Sequence, residues 1–194
     1  MPSGVYAAGG VEERFTCAPG PAGWRLTASR SDGASYDVTV DRAGRPVRVE
    51  LRAGSHVVRG GLVGRDRLGW VRDGVEASAV AVGFAGDGVG WWAVAGRALL
   101  PVLRTGTPLR RRVVRVSGPS LAALTVEERW ELLGVQVHEG LPVAALRVTD
   151  LGTGEAVSLH LAGDVVVVGD GVELLSLETR PSLDVLPVSD AGAG

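Results

Sequence analysis

The sequence predicts an all-β, mainly antiparallel fold: a curved sheet or barrel-like β-roll with one short helix. Apolar and polar residues alternate with a period of two along five segments, which is the pattern of half-buried strands. Glycine- and aspartate-rich breaks such as "DRAGRP" and "DLGTGE" separate these segments, as hairpin turns require. The 29 glycines among 194 residues also supply the bulges and bends that a curved sheet needs.

The alternating segments place the strands along the chain. They cover residues 36–41, 46–54, 111–118, 144–150 and 156–163. The run "DVVVVGDG" at residues 164–171 is continuously apolar and predicts a strand that is buried on both faces. The stretch "LVGRDRLGWVRDG" at residues 62–74 is expected to be irregular or a strand.

The segment "SLAALTVEERWELLG" is expected to hold the helix, near residues 124–133. Ser120 or Thr125 is a suitable N-cap, and Glu127 and Glu128 fall in the first turn that follows. Gly134 is a residue at which a helix commonly ends.

The length suits a single β-rich domain over residues 1–187, followed by a flexible tail at 188–194. Residues 38–61 align with residues 146–171, strand by strand and turn by turn. One interpretation is an internal duplication with half-repeats at about 24–100 and 105–180. The alternative is that any β-meander with glycine and aspartate turns and few apolar residue types resembles itself. Both interpretations give an antiparallel β protein.

The composition bounds the partners. The chain has no lysine, isoleucine or asparagine, so all 20 basic residues are arginine, as is typical of a bacterial genome rich in G and C. A net charge of -2 predicts no nucleic-acid partner. A single cysteine, Cys17, leaves no intramolecular disulfide or cysteine-based metal site, and no metal or cofactor is expected. Without a signal-peptide pattern or a run of about 18 apolar residues, a soluble cytoplasmic protein with no membrane insertion is expected.

Two adjacent tryptophans, Trp91 and Trp92, are the most prominent aromatic feature. On a strand, neighbouring side chains point to opposite faces of the sheet. One indole would therefore line a cavity within the curved sheet, and the other would be exposed or covered by the helix. The alternative is that they serve only as core residues.

Three consecutive arginines begin the strand predicted at residues 111–118. Arg110 and Arg112 would share one face of that strand, and Arg111 the other. At the rim of a cavity they would suit a phosphate, sulfate or carboxylate head group. The alternative is a solvated strand edge whose charge prevents aggregation.

Three segments, "YDVTVDRAGRPVRVEL", "TGTPLRRRVVRV" and "GPSLAALTVEERWELLG", resemble in this order a glycolipid-binding family of bacterial β-roll proteins. The resemblance implies a curved antiparallel sheet and binding of an amphipathic lipid. Tyr36, the tyrosine of the first segment, is therefore added to the expected ligand-binding residues.

The sequence thus favours binding of a hydrophobic or amphipathic small molecule, lipid or glycolipid-like, in a cavity of the sheet. The expected ligand-binding residues are Trp91, Trp92, Arg110, Arg112 and Tyr36. One alternative is a cofactor-free cyclase or isomerase that acts on a polyketide-like substrate inside a β-barrel, since orientation alone accelerates such reactions. A second alternative is a structural module that forms a homodimer through the tryptophan pair.

Overall fold

The structure is a computed structural model that describes residues 1–20 and 23–182. In this part of the chain there are fifteen strands and one helix, α1 (Gly90–Leu99). The tail predicted at residues 188–194 lies outside the described residues. The strands are β1 (Ser3–Ala8), β2 (Val11–Gly20), β3 (Gly23–Arg30), β4 (Ser35–Asp41), β5 (Pro46–Ala53), β6 (His56–Leu62), β7 (Arg67–Arg72), β8 (Val75–Val80), β9 (Gly83–Gly86), β10 (Leu109–Ser117), β11 (Ala122–His138), β12 (Leu141–Asp150), β13 (Ala156–Ala162), β14 (Val165–Gly169) and β15 (Val172–Leu177).

All described strands belong to one curved sheet in the order β8-β7-β6-β5-β4-β3-β2-β1-β15-β14-β13-β12-β11-β10-β9. Two antiparallel meanders, β1–β8 and β10–β15, join where β1 pairs with β15. The sheet curves far enough for β5 to contact β9, but β8 and β9 remain separate edges, so no barrel closes. The predicted all-β antiparallel curved sheet is confirmed.

Strand β9 is the exception to the antiparallel pattern because it pairs with β10 in parallel. Parallel neighbours cannot be joined by a hairpin and need a crossover, which is usually a helix. Helix α1 is part of that crossover. It contacts β3, β9 and β14, which are far apart in the sheet, so it lies inside the curve.

Five of the predicted strands are confirmed, in β4, β5, β10, β12 and β13. The segment at residues 62–74 contains β7 and part of β6. The two aligned segments at 38–61 and 146–171 lie in β4–β6 and β12–β14, three antiparallel strands in each case, while the duplication itself stays a prediction.

The prediction that the run at residues 164–171 is buried on both faces is wrong. Of its four valines, only Val165 and Val166 are buried, whereas Val167 and Val168 are 36% and 47% exposed. The part of β14 that follows Val166 has solvent on at least one side, so a continuous valine run here does not mark a central buried strand.

The prediction of a helix near residues 124–133 is also wrong, because these residues lie in the long strand β11. Both edges of this strand are hydrogen-bonded, to β10 and to β12. Glu128, Trp130 and Leu132 are buried at every second position, which is the strand period. Pairing with two distant segments overrides the local capping pattern.

The helix is instead α1, which contains both Trp91 and Trp92, so their predicted position on a strand is wrong. Most of its residues are buried, because it is enclosed by the sheet. The ten-residue segment contains two glycines, which are poor helix formers, and two adjacent tryptophans, which are typical of strands, so its composition does not favour a helix. Among the described residues, no helix combines the length and the apolar character needed to cross a membrane.

A buried carboxylate on β2 caps the beginning of α1. Glu13, 3% exposed, accepts hydrogen bonds from the backbone N–H of Val89 at 3.0 Å and of Gly90 at 2.8 Å. The Tyr36 hydroxyl also donates to Glu13 Oε1. Burial and the neighbouring Glu13 charge raise the pKa of Tyr36, so its hydroxyl remains a donor. A negative charge at a helix N-terminus also interacts favourably with the helix dipole.

This contact requires glycine on the helix side. A Cβ atom at Gly88 would lie 2.4 Å from Tyr36 Cε1, and one at Gly90 would lie 2.6 Å from Tyr36 Oη. Both distances are too short for any side chain. The glycines in "GDGVG" therefore allow α1 to approach Glu13 and Tyr36 closely.

We expect Glu13→Gln to lower the free energy of unfolding by about 1–3 kcal/mol, because a glutamine offers one acceptor oxygen where both carboxylate oxygens now accept. The amide NH₂ of the glutamine would replace the other acceptor and would face a buried backbone N–H, which is also a donor. Urea unfolding would measure the change. The neighbouring exposed Glu12→Gln should change stability by less than about 0.5 kcal/mol, and equal losses would contradict the capping role.

Candidate functional site

Three indoles from two elements surround one cavity. Trp91 and Trp92 come from α1, and Trp130 comes from β11. The ring centroids of Trp92 and Trp130 lie 6.0 Å apart, and Trp91 also stacks on Tyr36 at 5.2 Å. The cavity has a volume of about 230 Å³. We call it the tryptophan cavity; its lining includes Trp91, Trp92, Trp130, Arg111, Arg115 and Glu128.

The register between β10 and β11 brings the charged residues to this cavity. Leu109 pairs with Trp130 and Arg111 pairs with Glu128. Because residues two apart on a strand share a face, Glu128 and Trp130 lie side by side. The Arg111 guanidinium carbon lies 5.5 Å from the centroid of the Trp130 ring, in cation–π range.

Arg111 is a buried cation, with 7% of its side chain exposed. Its Nε lies 3.2 Å from Glu128 Oε2, within ion-pair distance, but donates no hydrogen bond to any described residue. Burial lowers the pKa of Arg111, and the attraction of Glu128 only partly offsets this. The ion pair with Glu128 thus compensates for part of the cost of burying this cation next to the cavity.

The carboxylates are held by their own partners. Glu128, 1% exposed, accepts a hydrogen bond from Trp130 Nε1 at 3.0 Å and lies 3.5 Å from an Arg115 nitrogen. Asp150 accepts from Arg115 at 2.6 Å and from Gly152 N–H at 2.8 Å. Arg115 thus bridges the two acidic side chains.

The ionisable groups along the cavity do not favour an anion. The lining contains four carboxylates, those of Asp87, Glu128, Asp150 and Glu155, against the two guanidinium groups of Arg111 and Arg115. An anionic ligand group in this cavity would be repelled, because the carboxylates outnumber the guanidinium groups. The same lining offers both donors and acceptors of hydrogen bonds, which suits hydroxyl groups because each one donates and accepts.

The structure brings together some of the sequence-predicted residues but not others. Trp91 and Trp92 both line the tryptophan cavity. Arg110 and Arg112 are exposed and lie outside it, and Arg112 pairs with Glu127 at 2.7 Å. Tyr36 is also outside this cavity and belongs to the cap of α1.

Sequence reasoning missed Arg111, Arg115, Glu128 and Trp130. The signal was present in the alternation, since Arg111 and Arg115 share one face of β10 and Glu128 and Trp130 share one face of β11. The alternation in β11 was overlooked because a helix was predicted near residues 124–133. In the described part of the chain, no three His, Cys, Asp or Glu side chains are grouped as a metal site requires.

The neighbouring arginines Arg111 and Arg112 provide a matched comparison. We expect Arg111→Gln to cost about 3 kcal/mol of stability, because it removes the nearer of the two cations that pair with the buried Glu128 and leaves only Arg115 at 3.5 Å. Arg112→Gln removes only an exposed pair and should cost less than about 1 kcal/mol. Urea unfolding of both variants would measure this, and similar losses would contradict the buried ion pair.

Asp150 should contribute to acid sensitivity. Burial alone raises the pKa of this carboxyl, but the Gly152 N–H and the Arg115 guanidinium outweigh burial and hold it below its ordinary value. A group with a lowered folded-state pKa stabilises the protein above its unfolded pKa and loses that contribution as the pH falls. The wild type should therefore lose more stability than Asp150→Asn between about pH 5 and pH 2. Urea unfolding across this range tests it, and parallel pH curves would contradict it.

The architecture is similar to a known crystal structure, that of a DUF1089 family protein from Pseudomonas aeruginosa. The TM-score is 0.56, the match covers 83% of this chain and 84% of that chain, and the sequence identity is 14%. At this identity the likeness shows the fold alone. No family model matches the sequence, and no curated protein matches it.

Proposed function

We propose that this protein binds an amphipathic small molecule, lipid or glycolipid-like, whose uncharged hydroxyl-bearing end occupies the tryptophan cavity. The observation that carries the proposal is the buried guanidinium of Arg111. This side chain belongs to the lining of a cavity that three indoles also line, and its Nε is paired with Glu128 Oε2 at 3.2 Å. A mostly apolar cavity with a few placed polar groups is the usual form of a small-molecule site.

The polar lining supports a neutral group. A hydroxyl oxygen would accept from Arg111, and its proton would be donated to a carboxylate such as Asp150 or Glu155. An anionic end would be repelled by the four carboxylates, and a cationic end would find Glu128 and Asp150 already paired with Arg111 and Arg115. A polyhydroxyl group needs no free charge in the lining.

The indoles form the apolar part of the lining. Trp130 is fully buried and donates its N–H to Glu128, so it supports the cavity wall beside Trp92. Trp92 is half-buried. Large aromatic side chains contribute much of the contact area in such sites at low entropic cost.

The two other functions that the sequence indicates stay predictions. A cyclase or isomerase would use the same cavity and would be recognised by turnover rather than by binding alone. A dimer contact through the tryptophan pair has little surface to use, because Trp91 is 3% exposed and both indoles line the cavity.

The test is calorimetric titration with three probes that share one chain: hexyl β-D-glucoside, hexyl sulfate and hexyltrimethylammonium, each below its micelle concentration. We expect the glucoside to bind most tightly. Trp92→Leu should weaken its binding about tenfold, the upper range for loss of an aromatic contact. Trp70→Leu, a half-buried tryptophan outside the cavity, should leave the affinity unchanged.

The same titration decides between the two arginine assignments. A double variant, Arg110→Ala with Arg112→Ala, should bind the glucoside as the wild type does, because both side chains lie outside the cavity. Preferential binding of hexyl sulfate that this double variant abolishes would contradict the proposal and support the head-group site expected from the sequence.

A further inference from the structure

A second cavity lies on the other side of Trp91. It has a volume of about 410 Å³ and lies under the turn that joins β10 to β11, so we call it the turn cavity. Trp91 and Asp87 line both cavities and form the boundary between them. The apolar lining of the turn cavity includes Tyr36, Leu51, Ala53, Val116 and Leu121.

The charged residues of the turn cavity already have partners. Arg30 donates to Asp32 at 2.7 Å, and Arg52 donates to Glu50 at 2.8 Å. Asp87 accepts from the backbone N–H of Gly118 at 2.7 Å. A ligand in this cavity would therefore meet mainly apolar surface, unlike one in the tryptophan cavity, whose lining contains two arginines and four carboxylates.

The wall of the turn cavity contains a strained residue. Leu121 is 5% exposed and has a φ of 50°, a left-handed conformation that is costly for a bulky side chain. The hydrogen bond between Asp87 and Gly118 anchors the same turn. Strain of this kind persists where the surroundings compensate for it, here by burial of the leucine side chain in the core.

The size of the tryptophan cavity makes the second cavity relevant. Sites for drug-sized ligands measure about 300–1,000 Å³, and the tryptophan cavity at about 230 Å³ is smaller than that. The tryptophan cavity has room for the polar end of an amphipathic molecule but not for its hydrocarbon chain as well. The turn cavity supplies apolar space next to it.

We propose that the turn cavity binds the hydrocarbon chain of the amphiphile whose polar end occupies the tryptophan cavity. The chain would run along the edge of the Trp91 indole, past Asp87, and end between Leu51, Ala53 and Leu121. This inference rests on the proposed function, and it assigns the ligand class more narrowly: a hydroxylated head with a single flexible chain.

The test uses a series of alkyl β-D-glucosides, from hexyl to decyl, titrated calorimetrically below their micelle concentrations. In the wild type, each added methylene should tighten binding by up to about fourfold, the value for burying one CH₂ group. Ala53→Leu fills the turn cavity. In this variant the hexyl compound should bind nearly as in the wild type, while the decyl compound should lose at least tenfold.

Two further variants keep the test decisive. Ala34→Leu narrows the same cavity at a half-buried position before β4 and should flatten the chain-length dependence if Ala53→Leu does not fold. Ala77→Leu, on the exposed strand β8 and outside both cavities, is the matched control and should behave as the wild type.

The outcomes separate the two proposals. Binding of every glucoside with an affinity that does not depend on chain length, or a dependence that Ala53→Leu and Ala34→Leu leave unchanged, overturns the chain site but not the proposed function. Failure of every glucoside to bind the wild type overturns both.

Discussion

The contact between the Glu13 carboxylate and the beginning of α1 is the interaction on which the arrangement of the site depends. It joins β2 to a helix that is distant in sequence, and it provides acceptors for backbone N–H groups that would otherwise be buried without partners. Helix α1 also belongs to the crossover between the parallel strands β9 and β10. The same helix places Trp91 between the two cavities. A substitution of Glu13 would thus affect both the stability of the fold and the position of the tryptophans that line the site.

The second constraint is the register between β10 and β11. It aligns Arg111 with Glu128 and leaves both groups buried at the tryptophan cavity. Replacement of a buried ion pair by apolar residues is often neutral or stabilising. Stability alone therefore does not account for this pair. Together with the position of both side chains in the lining of the tryptophan cavity, this is the physical argument for a binding role.

Sequence reasoning succeeded where local pattern and long-range pairing agree. The alternation in the segments of β4, β5, β10, β12 and β13 predicted strands because half-buried strands repeat every two residues in any sheet. It failed at β11, where Thr125, Glu128 and Gly134 form a good local helix pattern although both strand edges are paired. It failed again at α1, a short segment with two glycines and two adjacent tryptophans, whose composition suits a strand better than a helix.

The sequence by itself determined that the chain forms a curved antiparallel sheet, since alternation, turn residues and glycine content are local properties. It also singled out Trp91 and Trp92 and the arginine run. Only the tertiary structure decided which arginine meets the indoles, because this depends on the pairing of β10 with β11 and on the enclosure of α1. Arg110 and Arg112 face solvent while Arg111 is buried. The expected and the observed cavity arginines thus differ by one position along the strand. Neighbouring residues point to opposite faces, and only packing chooses the face that becomes the interior.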